Sequence, residues 1–102
     1  MAFPTKQFNP AENNQKPEDM KNNMNLHFEV FNEIKVNTDE AHPLYKYLRR
    51  NSSLYIEKSD KCKPIPWNFA KFLVDREGSV IHYYRPNHSI AKIEADFIDL
   101  LD

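Results

Sequence analysis

A chain of 102 residues with one glycine can turn sharply at low conformational cost in one place, and Gly78 marks it. It ends the phrase Asp75-Arg76-Glu77-Gly78, between the apolar-rich runs 69–74 and 79–84. A hairpin loop needs a residue at positive φ, and glycine takes that conformation without a Cβ clash. The spacing therefore predicts an antiparallel hairpin with strands over 69–74 and 79–84.

Around the hairpin the pattern is helical or irregular. Residues 1–8 read as the end of a strand, because Pro4 lacks the N–H that a ladder needs. Residues 9–25 are rich in Asn, Gln, Lys and Glu. Within them Pro17-Glu18-Asp19-Met20-Lys21 fits a helix start, with proline at the first position and acids in the first turn. Alternation of Phe28 with Val30 and of Ile34 with Val36 predicts two short buried extended pieces bent near Asn32-Glu33. Thr38 or Asp39 caps a helix over 38–50, with Leu44, Tyr47 and Leu48 on one face and Arg49-Arg50 at its carbonyl end. Residues 51–66 read as a polar connection in which Leu54, Tyr55 and Ile56 dock. Ser89 caps a last helix over 89–101, whose apolar stripe is Ile90, Ile93, Phe97, Ile98 and Leu101.

Composition excludes several functions. A net charge of −1 offers no basic field to nucleic acid. No apolar run reaches the roughly 18 residues of a membrane span, and no signal peptide is visible. The single cysteine, Cys62, rules out an intrachain disulfide and suits a reducing, cytoplasmic setting. Its neighbours Lys61 and Lys63 favour a thiolate, although an exposed loop thiol is the plainer reading. His27, His42, His82 and His88 lack metal-ligand spacing. The length suits one domain, residues 1–102.

Chemistry gathers just before the hairpin. Trp67 and Asn68 place an indole N–H beside a carboxamide, two donors without net charge. Singly, the first reads as a packing residue and the second as a turn residue. Together with Gln7 they sit in phrases that resemble the glutathione peroxidase family. Ala2-Phe3-Pro4-x-x-Gln7-Phe8 is similar to the strand end and active-site glutamine of that family. Phe28-Glu29-Val30-Phe31-Asn32 through Asn37 resembles its aromatic segment, and Ala41-His42-Pro43-Leu44-Tyr45 the helix that follows. Pro66-Trp67-Asn68-Phe69-Ala70-Lys71-Phe72, running on to Gly78, is the most specific phrase.

The resemblance implies an α/β chain, a partial thioredoxin-like fold in which a C-terminal β-hairpin packs with two to three helices. It implies reduction of hydroperoxides in the response to oxidative stress. The reductant would be a thiol, glutathione or thioredoxin, acting as co-substrate, with no bound cofactor and no metal. Gln7, Trp67 and Asn68 would be the site residues. Their donors hold a sulfur or selenium anion, each bond favouring the charged form by about 1–3 kcal/mol, or roughly one to two pKa units. Family members carry the peroxidatic cysteine or selenocysteine on a strand-to-helix turn ahead of the Ala-Phe-Pro phrase, where this chain begins. Thr5 and Lys6 stand where many members have Cys and Asn, and no cysteine takes the resolving position. The expectation is therefore an inactive chain when alone. The alternative is a non-catalytic regulatory module that pairs through an exposed sheet edge, as self-association or with a relative.

Overall fold

The computed structural model describes residues 1–8, 17–23 and 27–101. The residues form two compact units, 1–43 and 44–102.

In the first unit, Ala2 and Val30 form an isolated parallel bridge. The Ala2 N–H donates to Glu29 O and the Phe31 N–H to Ala2 O, both at 2.8 Å. Farther on, the Ile34 N–H donates to Pro4 O at 2.9 Å, so Pro4 accepts where it cannot donate. The rings of Phe3 and Phe31 stack with centroids 5.0 Å apart. Helix α1 (Pro17–Asn23) starts at the expected proline with Glu18 and Asp19 in its first turn. The polar stretch expected on either side of it, 9–16 and 24–26, lies outside the described residues. Over the described residues 27–36 the extended pieces are not strands beyond the single bridge, and Phe28 and Phe31 are exposed, whereas Val36 is buried.

The second helix is shorter than the 38–50 expected. Thr38 holds a positive φ of 68°, which a helix cannot include. Its carbonyl closes a turn on the Ala41 N–H, and its hydroxyl accepts from the Glu40 N–H. Helix α2 (Pro43–Arg50) then begins at Pro43, whose missing N–H is harmless at a first helical position.

In the second unit, α2 leads to a small hairpin where the pattern of residues predicts a polar connection. Its strands are β1 (Tyr55–Ile56) and β2 (Lys61–Cys62). Asp60 makes its turn at positive φ. The Asp60 carboxylate accepts from the Arg50 guanidinium at 3.0 Å and the Tyr55 hydroxyl at 2.7 Å. These bonds hold the Asp60 carboxyl below the usual carboxylate range. The Arg50 guanidinium also lies over the Tyr55 ring.

The expected hairpin is present as β3 (Lys71–Val74) and β4 (Val80–Tyr84). Gly78 takes φ 86°, as its position required. The Asp75 carboxylate accepts from the N–H groups of Glu77 and Ser79, both at 2.9 Å, which closes the turn around it. Tyr47 on α2 donates its hydroxyl to the Gly78 carbonyl, and Tyr45 meets Phe72 edge-on. Buried Leu48, Leu54, Ile65 and Tyr84 form this unit's core.

Helix α3 (Ile90–Leu101) follows Ser89, whose carbonyl accepts the first helical bond from Ile93. The stripe has helical spacing, but none of its residues is fully buried, and Ile90 is 65% and Phe97 48% exposed. A hydroxyl–carboxylate bond, Tyr84 to Asp96 at 2.8 Å, links the helix to β4.

Candidate functional site

Trp67 and Asn68 lie in a turn between buried Ile65 and the start of β3. Expected as the first strand residue, Phe69 instead stands at φ 68°, and the strand begins two residues later. A left-handed conformation costs a bulky residue about 1–2 kcal/mol. Phe69 is 71% exposed, so little burial of its own ring offsets that cost. Its carbonyl accepts from the Lys71 ammonium at 2.6 Å. Strain of this kind, on a turn presenting two neutral donors, is a recurrent mark of functional positions. Trp67 is 52% exposed and Asn68 half-buried.

Gln7 has a definite role inside its own unit. Its Oε1 accepts from the N–H groups of Val36 at 2.7 Å and Asn37 at 2.9 Å, and Nε2 donates to Asn37 O at 3.3 Å. The carboxamide thereby takes up three backbone groups of the Val36-Asn37 segment. A carboxamide nitrogen carries two hydrogens, and the bond to Asn37 uses one. Replacing Gln7 by Ala removes an acceptor shared by two N–H groups and should lower stability by about 1–2 kcal/mol. Gln7→Glu keeps the acceptor and should recover about half of that loss. Urea unfolding of the two variants measures it; equal losses would show that the Oε1 bonds do not matter.

Arg49 differs from the helix-end role read from sequence. It is buried, and its guanidinium donates to Cys62 O at 3.2 Å and Lys63 O at 3.3 Å. It fastens α2 to the end of β2 and is not presented to a ligand. Cys62 is half-buried at that strand end. Among the described residues no group of three or more His, Cys, Asp or Glu side chains could hold a metal.

Two phenols of β4 are unusual. Burial first, and then its bond to Asp96, push the Tyr84 phenol up to about 12. The Tyr83 hydroxyl is shut from solvent with no hydrogen-bond partner among the described residues, and burial raises its pKa. An unpaired buried donor of this kind costs about 1–3 kcal/mol. Periodicity gave no signal for Tyr83, Arg49 or the Tyr84–Asp96 pair, because each depends on contacts across loops.

No family model matches the chain. Similar curated proteins are nevertheless consistent. The glutathione peroxidase homolog BsaA of Halalkalibacterium halodurans is 39% identical over 105 residues, covering 99% of this chain and 63% of that protein. A probable phospholipid hydroperoxide glutathione peroxidase of Citrus sinensis is 39% identical over 105 residues, covering 100% of this chain and 60% of that protein. The chain thus spans about three-fifths of the length of these relatives. Among solved structures, Trgpx in its apo form superposes with a TM-score of 0.72 at 30% identity, covering 97% of this chain and 54% of the other. T. cruzi GPX1 gives 0.72 at 31%, covering 98% and 57%. On matches that run through nearly all of its residues in both sequence and backbone, the chain is similar to glutathione peroxidases and carries part of their thioredoxin-like α/β fold.

Proposed function

We propose that the chain is the donor-bearing part of an enzyme domain that reduces hydroperoxides with a thiol, glutathione or thioredoxin, under oxidative stress in the cytoplasm. Trp67 and Asn68 stabilise the anionic sulfur or selenium that attacks the peroxide O–O bond. Gln7 is assigned the same task through the second N–H of its carboxamide. A thiol is a poor nucleophile and a thiolate a good one, so neutral donors aimed at the anion accelerate attack without competing for its proton.

The observation that carries this reading is the strained Trp67-Asn68-Phe69 turn, which sets two neutral donors on adjacent residues. Support comes from the similar curated proteins, a glutathione peroxidase homolog and a probable phospholipid hydroperoxide glutathione peroxidase. Among the described residues no helix is long and apolar enough to cross a membrane. The chain's one cysteine, Cys62, sits at a strand end with its carbonyl held by Arg49 and is not assigned the attacking role.

The test is peroxide consumption coupled to glutathione or thioredoxin recycling. The chain alone should show negligible turnover; robust turnover that survives Cys62→Ser would overturn the assignment. One observation favours a second reading, a binding module that pairs through its sheet. Each strand pair of the second unit is only two-stranded, which leaves edge groups for a further strand. A stable oligomer of defined mass, without activity, would select it.

A further inference from the structure

We propose that the second unit binds an organic anion, one acidic head on an apolar body, in the cleft between the 53–66 segment and the turn over 85–88. The inference does not rest on the peroxidase reading. The cleft encloses about 590 Å³, within the size range of small-molecule sites. Leu54, Pro64, Pro66 and Tyr83 give it an apolar surface. Lys63 and Arg85 give it a cationic one, and no carboxylate is among its lining residues. Ion pairs among the described residues join Lys6 to Glu33, Lys35 to Glu40 and Arg50 to Asp60, so neither Lys63 nor Arg85 is neutralised by one.

Both walls are fixed by the backbone. The Lys63 N–H donates to Leu54 O at 2.7 Å, and the Lys63 carbonyl is held by buried Arg49. On the other side the His88 N–H donates to Arg85 O at 3.0 Å, and the His88 ring lies 5.1 Å from that of Tyr84. Charges set on a pre-formed frame lose less freedom when a ligand arrives. An acidic oxygen drawn in beside Arg85 would pair with its planar guanidinium through parallel N–H bonds.

The full chain is titrated with octyl phosphate below its micelle concentration. Fluorescence of Trp67, the only tryptophan and next to Pro66, reports occupancy. Amide shifts in a ¹⁵N spectrum report location. Saturable binding with shifts concentrated at Lys63, Arg85 and His88 is expected. Inorganic phosphate and octanol, each lacking half of the ligand, should bind at least about tenfold more weakly. Arg85→Gln and Lys63→Gln change exposed side chains and should each weaken octyl phosphate by about fivefold to tenfold with the fold intact. Absence of saturation, unchanged affinity in both charge variants, or shifts elsewhere would overturn the proposal. Binding to phosphatidylglycerol vesicles without any response to monomeric octyl phosphate would overturn it too.

Discussion

Arg49→Met should lower the unfolding free energy of the chain by about 2–3 kcal/mol, with the denaturant slope unchanged. The reason is positional. Arg49 is the penultimate residue of α2, and its stem is buried with the core while its guanidinium reaches the carbonyls of Cys62 and Lys63. Methionine keeps most of the stem's packing and removes every donor. Two carbonyls at the end of β2 then lose charge-assisted bonds in a place where water replaces them poorly. Arg49→Lys should fall between, at about half the loss, because an ammonium has no planar fork to serve two carbonyls together. Chemical denaturation of the three proteins decides the point. A methionine variant as stable as the parent would mean that these bonds are replaced by solvent without loss.

Tyr84→Phe is the other large effect, and it depends on pH. At neutral pH the variant should lose about 2 kcal/mol, since the hydroxyl donates to the Asp96 carboxylate from a side chain only 4% exposed. The folded chain raises this phenol from its ordinary 10.0 to about 12, chiefly by burial and then through Asp96. The neutral form is therefore the one that folding favours. Its contribution is complete below about pH 10 and is lost as pH climbs from 10 toward 12. Tyr45, Tyr55 and Tyr83 are raised as well, so the parent loses further stability in the same direction. The informative quantity is the difference between parent and variant. It should shrink between pH 10 and 12 and be constant from pH 6 to 9. A difference that persists at pH 12 would remove the hydroxyl–carboxylate bond as its cause.

What was legible in the sequence follows from how local each signal is. The 71–84 hairpin could be read because Gly78 and Asp75 settle the turn within four residues. Helix α3 was legible by period, but a stripe of Ile90, Phe97 and Ile98 says that a helix forms, not what covers it. Helix α2 was overextended because Thr38 has the chemistry of a cap, although its backbone is left-handed, while Pro43 gave the true start. The β1–β2 hairpin was missed because its two-residue strands show no alternation and Asp60 replaces the glycine that would have announced the turn. In the candidate site, Trp67 and Asn68 were legible together because they are neighbours in the chain. Gln7 was legible as a residue but not as the acceptor for Val36 and Asn37, 29 and 30 positions away. The cleft between Lys63 and Arg85 was not legible at all, since its walls come from separate loops.

Thr38, Asp60 and Phe69 carry a side chain where the main chain would more easily accept none, and all three face solvent. A tolerance map drawn from depth alone would rank them among the freest positions to vary. Torsion gives the opposite order. Valine or isoleucine at Asp60 or Phe69 would be disfavoured, whereas asparagine or glycine would pass at all three. In this lineage of chains, then, part of the record of descent should be written on the outside of the molecule, in the handedness of three peptide units.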